Sequence, residues 1–313
     1  MTSKKHWHSQ ALKLRGEGLS SREIAKRLGK GKSTINDFFT KHFQKLEVIN
    51  EEIGHPGKKG PRILIYDIET SPIIAHLWSM WQQGIGLKQI ETDWFVMSFC
   101  AKWLGEDEIF YFDQRDAENM EDDKELCERL WELFNEADFV VGQNVKAFDN
   151  KKMNARFILN GLPRPSTYRS IDTLDIAKAN FNFTSRKLEY MSKNLCTDTH
   201  KDSHSEFPGH ELWVECLKGN RKAWEAMERY NRDDVLSTEE LYILFSSWDL
   251  KQPNFDVYVD EILDMDEWEH DGFHYTQFGK YKRYRNKTTG QQRRSRVNLL
   301  PKEKRQSLLA NIV

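Results

Sequence analysis

No stretch of this chain is long and apolar enough to cross a bilayer. Its longest apolar runs, such as Ile63 to Tyr66 and Phe139 to Val141, fall far short of the ~18 residues a transmembrane helix requires. The first ten residues carry Lys4, Lys5, His6 and His8 with no apolar run behind them, so the core of a signal peptide is missing and export is not expected. Cysteine is scarce as well. The four, at positions 100, 127, 196 and 216, form no C-x-x-C pair, which argues against a disulfide framework or a four-cysteine zinc site. A reducing, cytoplasmic location is therefore expected. What remains is 313 residues, 38% apolar and 31% charged, the composition of a soluble globular chain of about two domains.

The net charge of -2 hides an asymmetry. Residues 1–62 hold 14 basic and 6 acidic side chains, residues 271–313 hold 11 and 2, and the stretch between holds 22 and 41. Two basic ends thus flank an acidic middle. Basic ends attract a phosphate backbone, because each neutralised phosphate releases condensed counterions. An acidic middle repels nucleic acid unless cations sit between them. A solvated charged surface on an ordinary enzyme would show the same asymmetry, so charge alone leaves both readings open.

In the segment from Leu19 to Gly29, Ser20 and Ser21 are N-cap candidates. Ile24, Ala25 and Leu28 then fall on one helical face, with Gly29 as C-cap. A second short helix is expected from about Ser33 through Phe39, after an earlier one around Gln10 to Arg15. The pattern resembles the helix-turn-helix of resolvases and transposases. That resemblance would put the second helix in a major groove, with Lys30, Lys32, Ser33, Thr34 and Asn36 facing bases or phosphates; a helical hairpin that only packs on its neighbour is the alternative. Gly31-Lys32-Ser33 also matches the end of a phosphate-binding loop, but Lys26 stands where that motif needs glycine and no strand precedes it, so that reading fails.

Residues 50–60 contain Gly54, Pro56, Gly57, Lys58, Lys59 and Gly60, a linker by composition that sets a domain boundary near residue 60. Beyond it, strands are expected at Ile63–Tyr66, Trp94–Trp103, Ile109–Phe112 and Asp138–Gly142. Helical spacing marks Leu126 to Phe134, Met153 to Ile158, the region of Ile176, Leu188 to Leu195, and a long helix from about Lys222 to Trp248. A strand meander followed by alternating strands and helices predicts an α/β fold of ribonuclease H type, a mixed sheet covered by helices.

Asp67-Ile68-Glu69 ends the first of these strands with two acids at i and i+2, hence on one face. In a central strand, two such carboxylates raise each other's pKa and a divalent cation removes the penalty; on an edge strand they are simply solvated. Downstream, Asn144 to Asp149 leads from a strand into a helix, and Tyr230 and Asp234 stand one helical turn apart. In this order the three segments resemble the motifs of the DnaQ-like, or DEDD, 3'-5' exonucleases: D-x-E, N-x-x-x-F-D and the Y-x-x-x-D of the tyrosine subclass. The match runs from about Ile63 to Trp248. The segments Asp67 to Pro72, Trp78 to Trp103 and Arg229 to Leu241 resemble bacteriophage-encoded members most closely, which would mean a host-cell cytoplasm.

The resemblance implies hydrolysis of DNA phosphodiester bonds with two divalent cations, Mg2+ or Mn2+. Asp67 would bridge both, Glu69 and Asp234 would complete one site, and Asp149 would reach the other through water. Tyr230 would orient the attacking water rather than deprotonate it, since a phenol is a poor base at neutral pH. Asp233, about 100 degrees round the helix from Asp234, is expected to be solvated or to support the ligands from behind. Asp172 is expected to cap a helix. His200, His204 and His210, with Asp198 and Asp202, lack metal-site spacing and are expected to make loop or substrate contacts. Trp78 and Trp81 are either base-stacking platforms or core aromatics.

Residues Phe273 to Arg285 resemble the middle of the zinc ribbon found on related phage nucleases. No cysteine lies beyond position 216, so either a metal-free hairpin or a disordered arm takes the ribbon's place, and Lys280, Lys282, Arg283 and Arg285 remain candidates for nucleic-acid contact. The expected organisation is a helix-turn-helix over 1–49, a linker over 50–62, an exonuclease domain over 63–250 and a basic region over 251–313. A single-stranded DNA 3' end at the active site and a duplex at the helix-turn-helix are the expected partners. RNA is the alternative substrate. A DNA-binding regulator with a relic nuclease fold is the competing class, against which the five intact residues speak. A transposase or integrase would carry one acid on the first strand and end its series in Glu, unlike this chain.

Overall fold

The computed structural model describes residues 60–81, 84–197, 206–259 and 265–310, with 21–35 and a few other positions between 7 and 38. Residues 1–61 with 254–268 form one compact unit, and 62–253 with 269–313 a second. Asn36, most of the 50–62 linker, Asp198, His200, Asp202 and His204 lie outside the described residues.

In the first unit, helix α1 (Ser21–Leu28) buries Ile24 and Ala25. It packs them with Ala11 and Ile35 against Trp7, Leu14, Leu19, Leu28 and Phe38. Gly29 takes φ +60 and the Lys30 amide reaches back to the Ala25 carbonyl at 3.0 Å. This is the left-handed glycine termination that satisfies a helix's last carbonyls. The chain resumes helical structure at Lys32–Ile35.

The second unit is built on a five-stranded mixed sheet. Its strands are β1 (Ile63–Thr70), β4 (Val96–Trp103), β5 (Ile109–Asp113), β6 (Phe139–Gly142) and β7 (Arg169–Asp172), in the order β5-β4-β1-β6-β7. The β1–β4–β5 part is antiparallel, while β6 and β7 run parallel to β1. This is the mixed sheet the sequence predicts. β1 is central, so alternation gives each of its faces a separate covering. Leu64, Tyr66 and Ile68 point into a core with Leu126, Leu130 and Phe134 of α2 (Lys124–Glu136) and Met153 and Phe157 of α3 (Asp149–Leu159). Each such side chain contributes roughly 1.5–3 kcal/mol by leaving water. The other face of β1, with Ile63, Ile65, Asp67 and Glu69, lies against the 26-residue helix α7 (Arg221–Ser246).

The buried stripe of α7 begins with Ala223, Trp224, Ala226 and Met227, turns polar at Asn231, Asp234, Ser237 and Thr238, and ends with Leu241, Tyr242 and Phe245. The polar part of the stripe is where the helix crosses the acids of β1. Asn220 caps the helix by accepting from the Lys222 amide at 3.1 Å. Short helices α4 (Thr173–Asn180), α5 (Leu188–Leu195) and α6 (Glu211–Leu217) complete the cover. Between β1 and β4 an insertion carries a two-stranded ladder, β2 (Ile74–Ala75) with β3 (Ile90–Thr92). Among the described residues, no helix is long and apolar enough to cross a membrane.

Beyond α7, residues 268–294 form a three-stranded antiparallel sheet: β8 (Trp268–Thr276), β9 (Gly279–Asn286) and β10 (Gln292–Arg294). A short helix α8 (Lys302–Ser307) follows. Of the two alternatives for this basic region the structure shows strands, a hairpin with a third strand added.

The loop from β6 to α3 depends on Gly142, where a Cβ would meet Val145 side-chain atoms at 2.8 and 2.9 Å and the Tyr66 carbonyl at 3.1 Å. Gly142→Ala should therefore destabilise the protein by about 1–3 kcal/mol, read as a lower urea midpoint with an unchanged slope.

Candidate functional site

Alternation along β1 sends Asp67 and Glu69 to the face under α7, and Asp234 is buried on the helix opposite them. One oxygen from each of the three lies within 4.8 Å of the others. Two uncharged donors contact the β1 acids. Asn231 Nδ2 donates to Asp67 Oδ2 at 2.7 Å, while Ser98 Oγ donates to Asn231 Oδ1 at 3.2 Å and fixes the amide's orientation. Trp213 Nε1 of α6 donates to Glu69 Oε2 at 3.1 Å. Such bonds aim the carboxylates without neutralising them. Three hard oxygen donors crowded at one point fit a divalent cation, whose charge offsets their mutual repulsion.

Asp149 stands behind this cluster. As the first residue of α3 it is 4% exposed, and its Oδ1 accepts from the Ile68 amide, between the two β1 acids, at 3.4 Å. Burial pushes its carboxyl up to about 7; its own backbone amide and that of Ile68 pull it down, and Asp172 and Asp234 add to the rise. Asp172 holds the loop that delivers it. Its Oδ1 accepts from Leu174 N at 3.0 Å, capping α4, and from Asn144 N at 2.9 Å, while Oδ2 accepts from Lys146 N at 3.2 Å. The expected helix cap is thus present and ties down the Asn144–Asp149 turn as well.

Tyr230 is half-buried one turn before Asp234, with its ring edge-on to Trp213 at 6.1 Å between centroids. Burial first, then the charges of Asp234, Glu69 and Asp67, hold its phenol well above the ordinary value. The hydroxyl therefore keeps its proton at neutral pH, available for donation.

The remaining sequence candidates lie elsewhere. Lys30, Lys32, Ser33 and Thr34 are exposed on the turn and helical segment after α1. Trp78 and Trp81 are 95% and 86% exposed in the insertion between β1 and β4, which removes the core-aromatic alternative for both. Lys280, Lys282, Arg283 and Arg285 lie on β9. Sequence reading missed Asn231 and Trp213. Asn231 could have been found: it precedes Asp234 by three residues and so shares its helix face. Nothing in the sequence marks Trp213, whose helix meets Glu69 only through the tertiary fold.

The RNase_H superfamily model matches residues 64–246, a span that holds the whole sheet, α7 and the acid cluster. The chain belongs to the RNase H superfamily. Among solved structures, the family B DNA polymerase from the hyperthermophilic archaeon Pyrobaculum calidifontis is similar at 17% identity and a TM-score of 0.42. The likeness covers 61% of this chain and 26% of that one, so the chain spans about a quarter of the polymerase's length, and at that level the likeness says nothing about activity. No curated protein matches the chain.

The elevation of Asp149 has a measurable consequence. A carboxyl whose folded value lies near 7, well above that of an ordinary aspartate, costs nothing while protonated in both states and lowers stability as pH rises between the two values. In EDTA, Asp149→Asn should melt higher than the parent at pH 8, and the difference should vanish near pH 4. Equal melting temperatures at pH 8 would place the carboxylate in a better-solvated setting.

Proposed function

We propose that this RNase H superfamily member is a metal-dependent 3'-5' exonuclease of the DnaQ-like, tyrosine-containing type that hydrolyses DNA. One observation carries the reading: Asp67, Glu69 and Asp234 converge within 4.8 Å, with the protonated Tyr230 hydroxyl one helical turn away. Two cations, Mg2+ or Mn2+, suit the all-oxygen donor set. Asp67, Glu69 and Asp234 would hold one, and Asp149 would serve the second together with Asp67. Such ions, when bound, ease deprotonation of water and offset the charge that develops on the phosphate and the leaving 3' oxygen.

The chain's own groups do the positioning. Asn231 and Trp213 fix the rotamers of Asp67 and Glu69, so the donor set is organised in advance. Tyr230 donates a hydrogen bond to the attacking water and aligns it with the scissile phosphorus. Asp172 keeps Asp149 in place through the Asn144–Asp149 turn. Exposed Trp78 and Trp81 offer faces on which terminal bases of a single strand stack. The basic N-terminal helices supply duplex affinity through Lys30, Lys32, Ser33, Thr34 and Asn36, and the basic C-terminal region supplies further phosphate contacts. The phage-type sequence segments agree with action in a host cytoplasm.

Three measurements test this. Asp67→Ala should abolish hydrolysis with either Mg2+ or Mn2+ while leaving the fold intact. Retention of more than about a tenth of the rate, roughly 1.4 kcal/mol of barrier, would remove its central role. Tyr230→Phe should lower turnover about 10- to 1000-fold with nearly unchanged DNA affinity, and unaltered turnover would take the hydroxyl out of the mechanism. Replacing Lys30 and Lys32 together by Ala should weaken duplex binding and flatten its log-log salt dependence by about 0.9 per lost contact. An unchanged slope would mean that the N-terminal helices serve packing or a protein partner.

A further inference from the structure

The two faces of the C-terminal sheet differ in chemistry. On one, the Tyr281 ring lies over Gly279, where an added Cβ would come within 2.5 Å of it, and Arg294 covers the ring at 4.1 Å. Arg283 and Arg285 share a single carboxylate, with their Nε atoms 3.2 and 3.5 Å from Asp271 Oδ2. Arg283 also donates to the Asp271 carbonyl at 2.7 Å. Rings and cations on this face are thus engaged within the sheet.

The opposite face is the more exposed one, although its rings too have neighbours: His270 stands edge-on to Phe273 at 5.5 Å and to Tyr284 at 5.9 Å between centroids. Phe273 is 39% and Tyr275 66% exposed, and alternation puts these β8 residues on one side. Lys280 Nζ lies 4.1 Å from the Phe273 ring centroid and 5.7 Å from that of Tyr275, so it shares their face, as does Lys282 two residues on. Two aromatic rings with two lysines beside them combine a flat apolar surface with adjacent positive charge. Residues 271–313 carry 11 basic against 2 acidic side chains, which favours a polyanion as the occupant. A duplex hides its base faces in the stack, whereas a single strand offers bases to aromatic rings and phosphates to lysines.

We propose that this face is a stacking platform for single-stranded nucleic acid, in which Phe273 and Tyr275 take successive bases and Lys280 and Lys282 take the flanking phosphates. The platform deepens the nuclease reading and rests on it for its biological meaning. It also divides the basic residues of β9: Lys280 and Lys282 touch the strand, and Arg283 and Arg285 build the sheet.

The test is fluorescence anisotropy of a labelled oligothymidylate with the full chain in EDTA, over a salt series. Tyr275→Leu keeps apolar area but removes the ring and should weaken binding about 5- to 100-fold with an unchanged salt slope. Tyr275→Phe should bind like the parent. Lys280→Gln should reduce the slope by about 0.7. Arg283→Gln and Arg285→Gln should leave single-strand affinity within about twofold, provided their melting temperatures match the parent. Leucine binding as tightly as tyrosine at position 275 would overturn the platform, as would an affinity loss for Tyr275→Leu that is equally large on a blunt duplex. Hydrolysis of thymidine 5'-p-nitrophenyl phosphate with Mn2+, a substrate too short to need the platform, reports separately on the nuclease reading.

Discussion

Three carboxylates held within 4.8 Å of one another in the gap between the central strand and its covering helix are the constraint around which the rest of this molecule is arranged. Like charges at that separation oppose folding unless something offsets them. The structure meets this with directional, uncharged donors, Asn231 to Asp67 and Trp213 to Glu69. They orient the acids and leave their charge in place. Three aimed carboxylates suit a divalent cation and the phosphate such a cation attracts.

Much of the surrounding architecture holds that arrangement. β1 is central, paired with β6 along Ile63–Ile65 and with β4 further along, where Asp67 stands opposite Cys100 and Glu69 opposite Ser98. α7 brings Tyr230, Asn231 and Asp234 on one face, and its otherwise apolar stripe changes to small polar residues where it crosses the acids. Asp172 spends both carboxylate oxygens on three amides, so the turn before Asp149 is fixed from outside the loop. The long apolar parts of β1 and α7 provide the packing energy that tolerates a charged centre.

The sequence made the acids legible because each spacing has a single geometric meaning. Asp67 and Glu69 share a face by the period of two, and Tyr230 and Asp234 by the helical turn. The sheet was legible for a related reason, since the apolar runs Ile63–Tyr66 and Phe139–Val141 read as strands, but only the structure places β1 between β4 and β6. Trp213 was hidden because its role depends on where α6 lands after a long connection. The exposure of Trp78 and Trp81 was hidden because aromatic residues look the same in a core and on a projecting insertion. In the C-terminal region no cysteine lies beyond position 216, so there was no metal signal to read. Interleaved Tyr, Lys and Arg show no apolar face, so the three-stranded sheet could not be separated from a disordered arm.

The account is tested most directly by following 5'-labelled single-stranded DNA and RNA of matched sequence with the full chain in Mg2+, and again in EDTA. It predicts a ladder of DNA products shortened one nucleotide at a time from the 3' end, abolished by the chelator. Products cut at internal positions, release of the 5' label as a mononucleotide, or a ladder that persists in EDTA would contradict it.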